Sequence, residues 1–152
     1  MKKVMLALSI LTLLVFGACN NEVGEDLPLL TGQVGGETWN FKLGKAIRDP
    51  FGEQLDVSFY SEQELGDDPC AIGNSNNTHL TITIPFEIGN FNLPLNSGSL
   101  VFQQAGSTTS FQAASGFIEI TQLSGLRGIG YLQATFDEEN TVEGRFRFDI
   151  CN

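Results

Sequence analysis

The chain has 152 residues, with 8 lysines and arginines against 18 aspartates and glutamates, a formal charge of −10. That balance excludes nucleic acid as a partner, because its phosphates would be repelled, and excludes electrostatic attachment to anionic lipid. The length fits one domain, and 41% hydrophobic residues with 12 phenylalanines suffice to build its core.

The chain opens Met1-Lys2-Lys3, continues through the apolar run Val4 to Phe16 and reaches Gly17-Ala18 before Cys19. A positive start, a short greasy segment and small residues make a secretory signal peptide. The apolar run is 13 residues, short of the roughly 20 that a bilayer-spanning helix needs, so residues 1–18 read as cleaved and not as spanning. Phe16-Gly17-Ala18-Cys19 resembles the lipobox of bacterial lipoproteins, with phenylalanine where leucine is usual. The resemblance implies diacylation of the Cys19 thiol, removal of residues 1–18 and acylation of the new amino terminus. Each buried methylene contributes ~0.8 kcal/mol, so several acyl chains hold a domain at a membrane. Cleavage removes two lysines and no acid, which moves the formal charge to −12 over 134 residues. The expected location is the outer membrane, lipid-anchored, facing periplasm or cell surface.

Residues 19–30 read as a flexible acidic tether, with Glu22, Glu25, Asp26 and Pro28 and no periodicity. The three acids resemble the acidic export signal that carries some lipoproteins of the Bacteroidota to the cell surface. Residues 31–152 change to short alternating runs broken by Gly, Asn, Asp and Pro, which predicts an all-β domain. Gly36-Glu37-Thr38-Trp39 is similar to the Gly-x-Trp that opens lipocalin barrels, with one extra residue. Trp39, Phe41 and Leu43 alternate with polar neighbours, as do Leu55, Val57 and Phe59, and then Leu80, Ile82 and Ile84. Ser61 and Glu64 match a capping box for one helical turn, which Gly66 and Pro69 stop. His79 shares parity with Thr81 and Thr83, so it belongs to the solvent face and supports no catalytic triad.

The segment Gly89 to Asn96 reads as a loop that mixes Phe91 and Leu93 with Asn90, Asn92 and Asn96. A ring beside amides suits a sugar, so Phe91, Asn90 and Asn92 are candidate ligand-binding residues; the alternative tucks Phe91 and Leu93 under the sheet. Strands follow at Leu100 to Phe102 and at Phe117 to Ile120, where alternation turns Glu119 outward. The acids Asp67-Asp68 and Asp137-Glu138-Glu139 fall in turns and lack the spacing of a calcium loop, so no metal or other cofactor is expected. Residues 130–150 should form a hairpin in which Phe136, Phe146 and Phe148 share a face and Asn140 takes the left-handed turn position. Seven or eight strands then make one antiparallel β-sandwich or an up-and-down β-barrel.

With Cys19 lipidated, Cys70 and Cys151 are the thiols left in an oxidising compartment, and they are expected to pair across a loop of 82 residues. The lipobox, the Gly32 to Gly36 lead into Trp39 and the last strand ending at Cys151 resemble the small β-rich lipoproteins of Bacteroidota. That resemblance brings no catalytic residues with it. The expected function is a non-catalytic, lipid-anchored module that binds a glycan or an envelope protein through loops or a sheet face. The alternatives are a lipocalin-like carrier of a small apolar molecule and a glycan hydrolase.

Overall fold

The computed structural model describes residues 28–61, 68–72, 78–96 and 98–151. Among these, eleven strands follow in chain order: β1 (Thr31–Val34), β2 (Glu37–Asn40), β3 (Leu43–Arg48), β4 (Gln54–Tyr60), β5 (His79–Pro85) and β6 (Gly89–Leu93), then β7 (Val101–Gln103), β8 (Ser110–Gln112), β9 (Ser115–Leu123), β10 (Arg127–Thr135) and β11 (Thr141–Cys151). The chain is all-β, as its alternation predicts. The strands outnumber the seven or eight expected because β1 and β8 have only three or four residues each, too few to display a period, because β6 reads as a loop in sequence, and because the run Trp39 to Leu43 is shared between β2 and β3.

All eleven strands join one curled, open sheet. Its main path runs β6-β9-β10-β11-β3-β4-β5-β7-β8, and β1 pairs with both β11 and β2. Strand pairings are antiparallel except β11 with β3. One edge of β11 serves two neighbours, with β1 along residues 141–143 and β3 along residues 149–151. The run Trp39 to Leu43 is divided for the same reason. The Phe41 N–H donates to the Leu30 carbonyl, while the Lys42 N–H donates to the Tyr60 carbonyl, both at 2.9 Å. The chain changes partner there, the parity resets, and Gly44 and Ala46 face inward in β3 while Leu43 does not.

The concave side holds a single core in which Trp39, Phe59, Phe102, Phe146 and Phe148 are buried. Phe59 and Phe146 meet with ring centroids 4.7 Å apart. Two glycines make room for this aromatic cluster. Gly128 is the cross-strand partner of Phe148, and Gly130 of Phe146. A Cβ on Gly128 would lie 2.2 Å from the Phe148 ring, and one on Gly130 would lie 2.7 Å from the Phe146 ring. Each ring therefore covers the bare backbone opposite it, which seals the sheet where glycine contributes no side chain.

Two boundaries need correction. Leu30, assigned to the tether, is buried in the core, and its N–H donates to the Arg145 carbonyl at 2.8 Å. The domain thus begins by Pro28, a start that one leucine between proline and threonine could not signal by periodicity. The segment from Gly89 is a strand, β6, and not a loop: it pairs with β9 from Gly89↔Ile120 to Leu93↔Gly116.

The β10–β11 hairpin is the firmest agreement between sequence and structure, with unbroken register from Arg127↔Asp149 to Thr135↔Thr141. Phe136, Phe146 and Phe148 are all buried. Asn140 does not take the left-handed position, since among the described residues only glycines have positive φ. Its amide instead donates to both carboxylate oxygens of Asp137, at 2.6 and 2.7 Å, while the Phe136 N–H donates to its carbonyl and closes the turn.

Candidate functional site

The outward face of β6, β9, β10 and β11 gathers side chains suited to recognition. Because Ile118, Ile120, Leu132 and Ala134 point into the core, alternation turns Phe117, Glu119, Tyr131 and Gln133 to the other side. Phe117 and Tyr131 stack there, with centroids 5.9 Å apart and planes 28° apart. Register places polar groups around them. Phe117 lies between Asn92 and Gln133, and Glu119 lies between Asn90 and Tyr131. On the far side Tyr131 faces Arg145, and Gln133 faces Glu143.

The Tyr131 hydroxyl donates to the Glu143 carboxylate. Partial desolvation, and then that carboxylate, push the Tyr131 phenol up to about 12, so the ring stays neutral and the hydroxyl stays a donor. Three of the four arginines in this acidic chain, Arg127, Arg145 and Arg147, lie on β10 and β11. Arg127 pairs with Asp149 at 3.0 Å. A β-bulge at Thr121 shifts the register beyond Gly130, and the Thr121 hydroxyl donates to the Ile129 carbonyl at 3.2 Å. Past the bulge, Gln122, Ser124, Arg127 and Ile129 line a shallow hollow of about 190 Å³.

The residues singled out from sequence fall in different places. Asn90 and Asn92 face outward and border the stacked pair, whereas Phe91 turns inward against the core with Leu93. The ring and its flanking amides therefore do not form one surface. Phe117 and Tyr131 supply the aromatic surface instead, and the signal that could have found them was their outward parity beside Glu119 and Gln133. Cys70 and Cys151 form a disulfide with Cα atoms 5.5 Å apart. Cys151 lies on the outward parity of β11, and Cys70 sits in a 3-10 turn, Pro69–Ala71, whose first N–H groups are capped when Asp68 accepts from the Cys70 N–H at 2.9 Å. His79 stacks on Tyr60 with centroids 5.4 Å apart. Residues 1–18, Cys19, the acids Glu22, Glu25 and Asp26, the capping-box turn through Glu64, and Asp67 lie outside the described residues.

Two carboxyl groups, Asp49 and Asp137, are pushed down, the opposite of a general acid. Backbone N–H donation, chiefly from Gln54, lowers Asp49, and the Asn140 amide, followed by the Glu139 N–H, lowers Asp137. Among the described residues no three His, Cys, Asp or Glu side chains converge to hold a metal ion. A second, wider cleft of about 600 Å³ opens beside β1 and β2, where Thr31, Thr38, Asn40, Lys42 and Ser61 form much of its wall. The Thr31 hydroxyl is already engaged there with the Asn40 side chain at 2.6 Å. Comparison with protein-family models, curated proteins and solved structures found no match to this chain.

Proposed function

We propose that this is a non-catalytic lipoprotein, anchored through Cys19 at the outer membrane, whose β-domain binds a glycan on the outward face of β6, β9, β10 and β11. The observation that carries the reading is the stacked Phe117–Tyr131 pair on the solvent side of the sheet. A pyranose presents a C–H face that packs on such rings, and its hydroxyls match the amides of Asn90, Asn92 and Gln133. The long, regular strands beneath hold these groups in fixed spacing, so little ordering entropy is lost on binding.

The concave side is filled by the chain's own aromatic side chains, which supports a surface site over a carrier that encloses its ligand. We read the curled sheet as an open barrel and not as two separate layers, because β11 belongs to both halves of the strand order.

Affinity electrophoresis against a panel of neutral and acidic polysaccharides tests the site. Retardation by at least one polysaccharide is expected, and Tyr131→Ala and Phe117→Ala should each weaken it by about 3- to 10-fold, the loss of one aromatic contact. No retardation by any of them, or equal retardation of the variants, overturns the reading. Mass spectrometry of the native protein tests the anchor: an acylated Cys19 at the mature terminus is expected, and a bare thiol refutes it.

A further inference from the structure

The two ends of the strand path are treated differently. β8 has three residues, and its Phe111 ring lies beside Gly35 in the turn between β1 and β2. β6 has five residues and ends the strand path, with β9 as its hydrogen-bonded strand neighbour among the described residues. Edge strands are normally protected by charge, proline, a bulge or short length. Gly89-Asn90-Phe91-Asn92-Leu93 contains no charged residue, although the chain carries 18 acids, and its register with β9 is free of bulges. Such an edge is a template for another strand.

The sequence around Phe91 reads Asn-Phe-Asn in both directions. From the bare edge and this symmetry we infer that β6 pairs antiparallel with β6 of a second copy of this chain, centred on Phe91. Phe91 then faces its copy, and Asn90 faces Asn92 of the copy at two equivalent positions. An amide is both donor and acceptor, so each Asn pair is self-complementary, as a two-fold interface requires. The new ladder adds about four to six backbone hydrogen bonds. The two-fold axis runs perpendicular to the sheet, which leaves both Phe117–Tyr131 surfaces on the same side of one continuous sheet. The pairing is argued from the edge of β6 and not from the glycan reading, with which it shares Asn90 and Asn92, and its test reads association in the absence of any sugar.

The test uses the chain from residue 19 with Cys19→Ser, which retains every described residue. Analytical ultracentrifugation from ~1 to ~200 µM, spanning the usual range of weak association, should show a monomer–dimer equilibrium. Asn92→Lys charges the edge at an exposed position and should weaken the dimer at least about 10-fold, as like charges on a paired edge do. Hydrogen exchange of the unsubstituted chain should show β6 amides gaining protection as concentration rises, a readout independent of how any variant folds. A monomer throughout, a dimer unaffected by Asn92→Lys, or protection gained elsewhere than β6 overturns the inference.

Discussion

The β9–β11 region and the β7–β8 end are built from the same kind of sequence, yet they hold the fold to different degrees. The first consists of strands of nine, nine and eleven residues, with Phe146 and Phe148 buried opposite Gly130 and Gly128. The second consists of two strands of three residues, where Phe102 is buried but Phe111 is only partly so. A long strand registers many side chains at once, and each bonded pair lowers the entropy lost by the next. A three-residue strand lacks that reinforcement. The difference shows why the recognition face and the rigid core share β9 to β11: precise spacing on the outer side depends on dense packing on the inner side.

Substitutions in the two regions should differ in their cost to stability. Phe148→Ala should have the largest effect, a loss of about 3 to 5 kcal/mol in urea unfolding, because the fully buried ring also covers the bare backbone of Gly128. Replacing Cys70 and Cys151 together by serine should lower stability by about 2 to 4 kcal/mol, since the bond ties the end of β11 to the 3-10 turn before β5 and so reinforces the long-stranded region alone. Its signature is a drop in the thermal midpoint that reducing agent reproduces in the unsubstituted chain. Phe111→Ala should lose only about 1 kcal/mol, given its partial burial in a three-residue strand. An effect as large as that of Phe148→Ala would remove the distinction between the regions.

The smallest expected effect is the pH response of Tyr131. Its phenol is raised to about 12 in the folded state, from an ordinary value of 10.0. The folded chain thus holds this proton more tightly, so the contribution is complete below pH 10 and is lost as pH rises toward 12. Tyr131→Phe should reduce the fall in stability over that window and remove the most alkaline part of the phenolate titration, leaving that of Tyr60, which burial also raises. A phenolate titration that Tyr131→Phe leaves unchanged at its alkaline end would show that Tyr131 is not raised in solution.

Alternation made several elements legible: Leu80, Ile82 and Ile84 are buried in β5, Leu55, Val57 and Phe59 in β4, and the final hairpin keeps the expected pairing. Elements were missed where alternation was masked. In β6 the outward positions are asparagines and Pro94 follows, so a strand resembled a loop. In β1 a glycine stands beside Val142, where a Cβ would lie 2.0 Å from the Thr141 carbonyl oxygen, and that closeness has no local signature. Asn140 was recognised as a turn residue, but its partner Asp137 changed the role from backbone conformer to side-chain clamp.

Local side-chain order sets which side of each regular strand faces inward, because a period of two is a property of neighbouring residues. It also determined that Cys151 would point away from the core. Long-range packing, by contrast, places β9 between β6 and β10, runs β11 parallel to β3 and brings Phe117 against Tyr131. Those outcomes depend on contacts between segments far apart in the chain, where strand order is set by how the whole curled sheet encloses its phenylalanines.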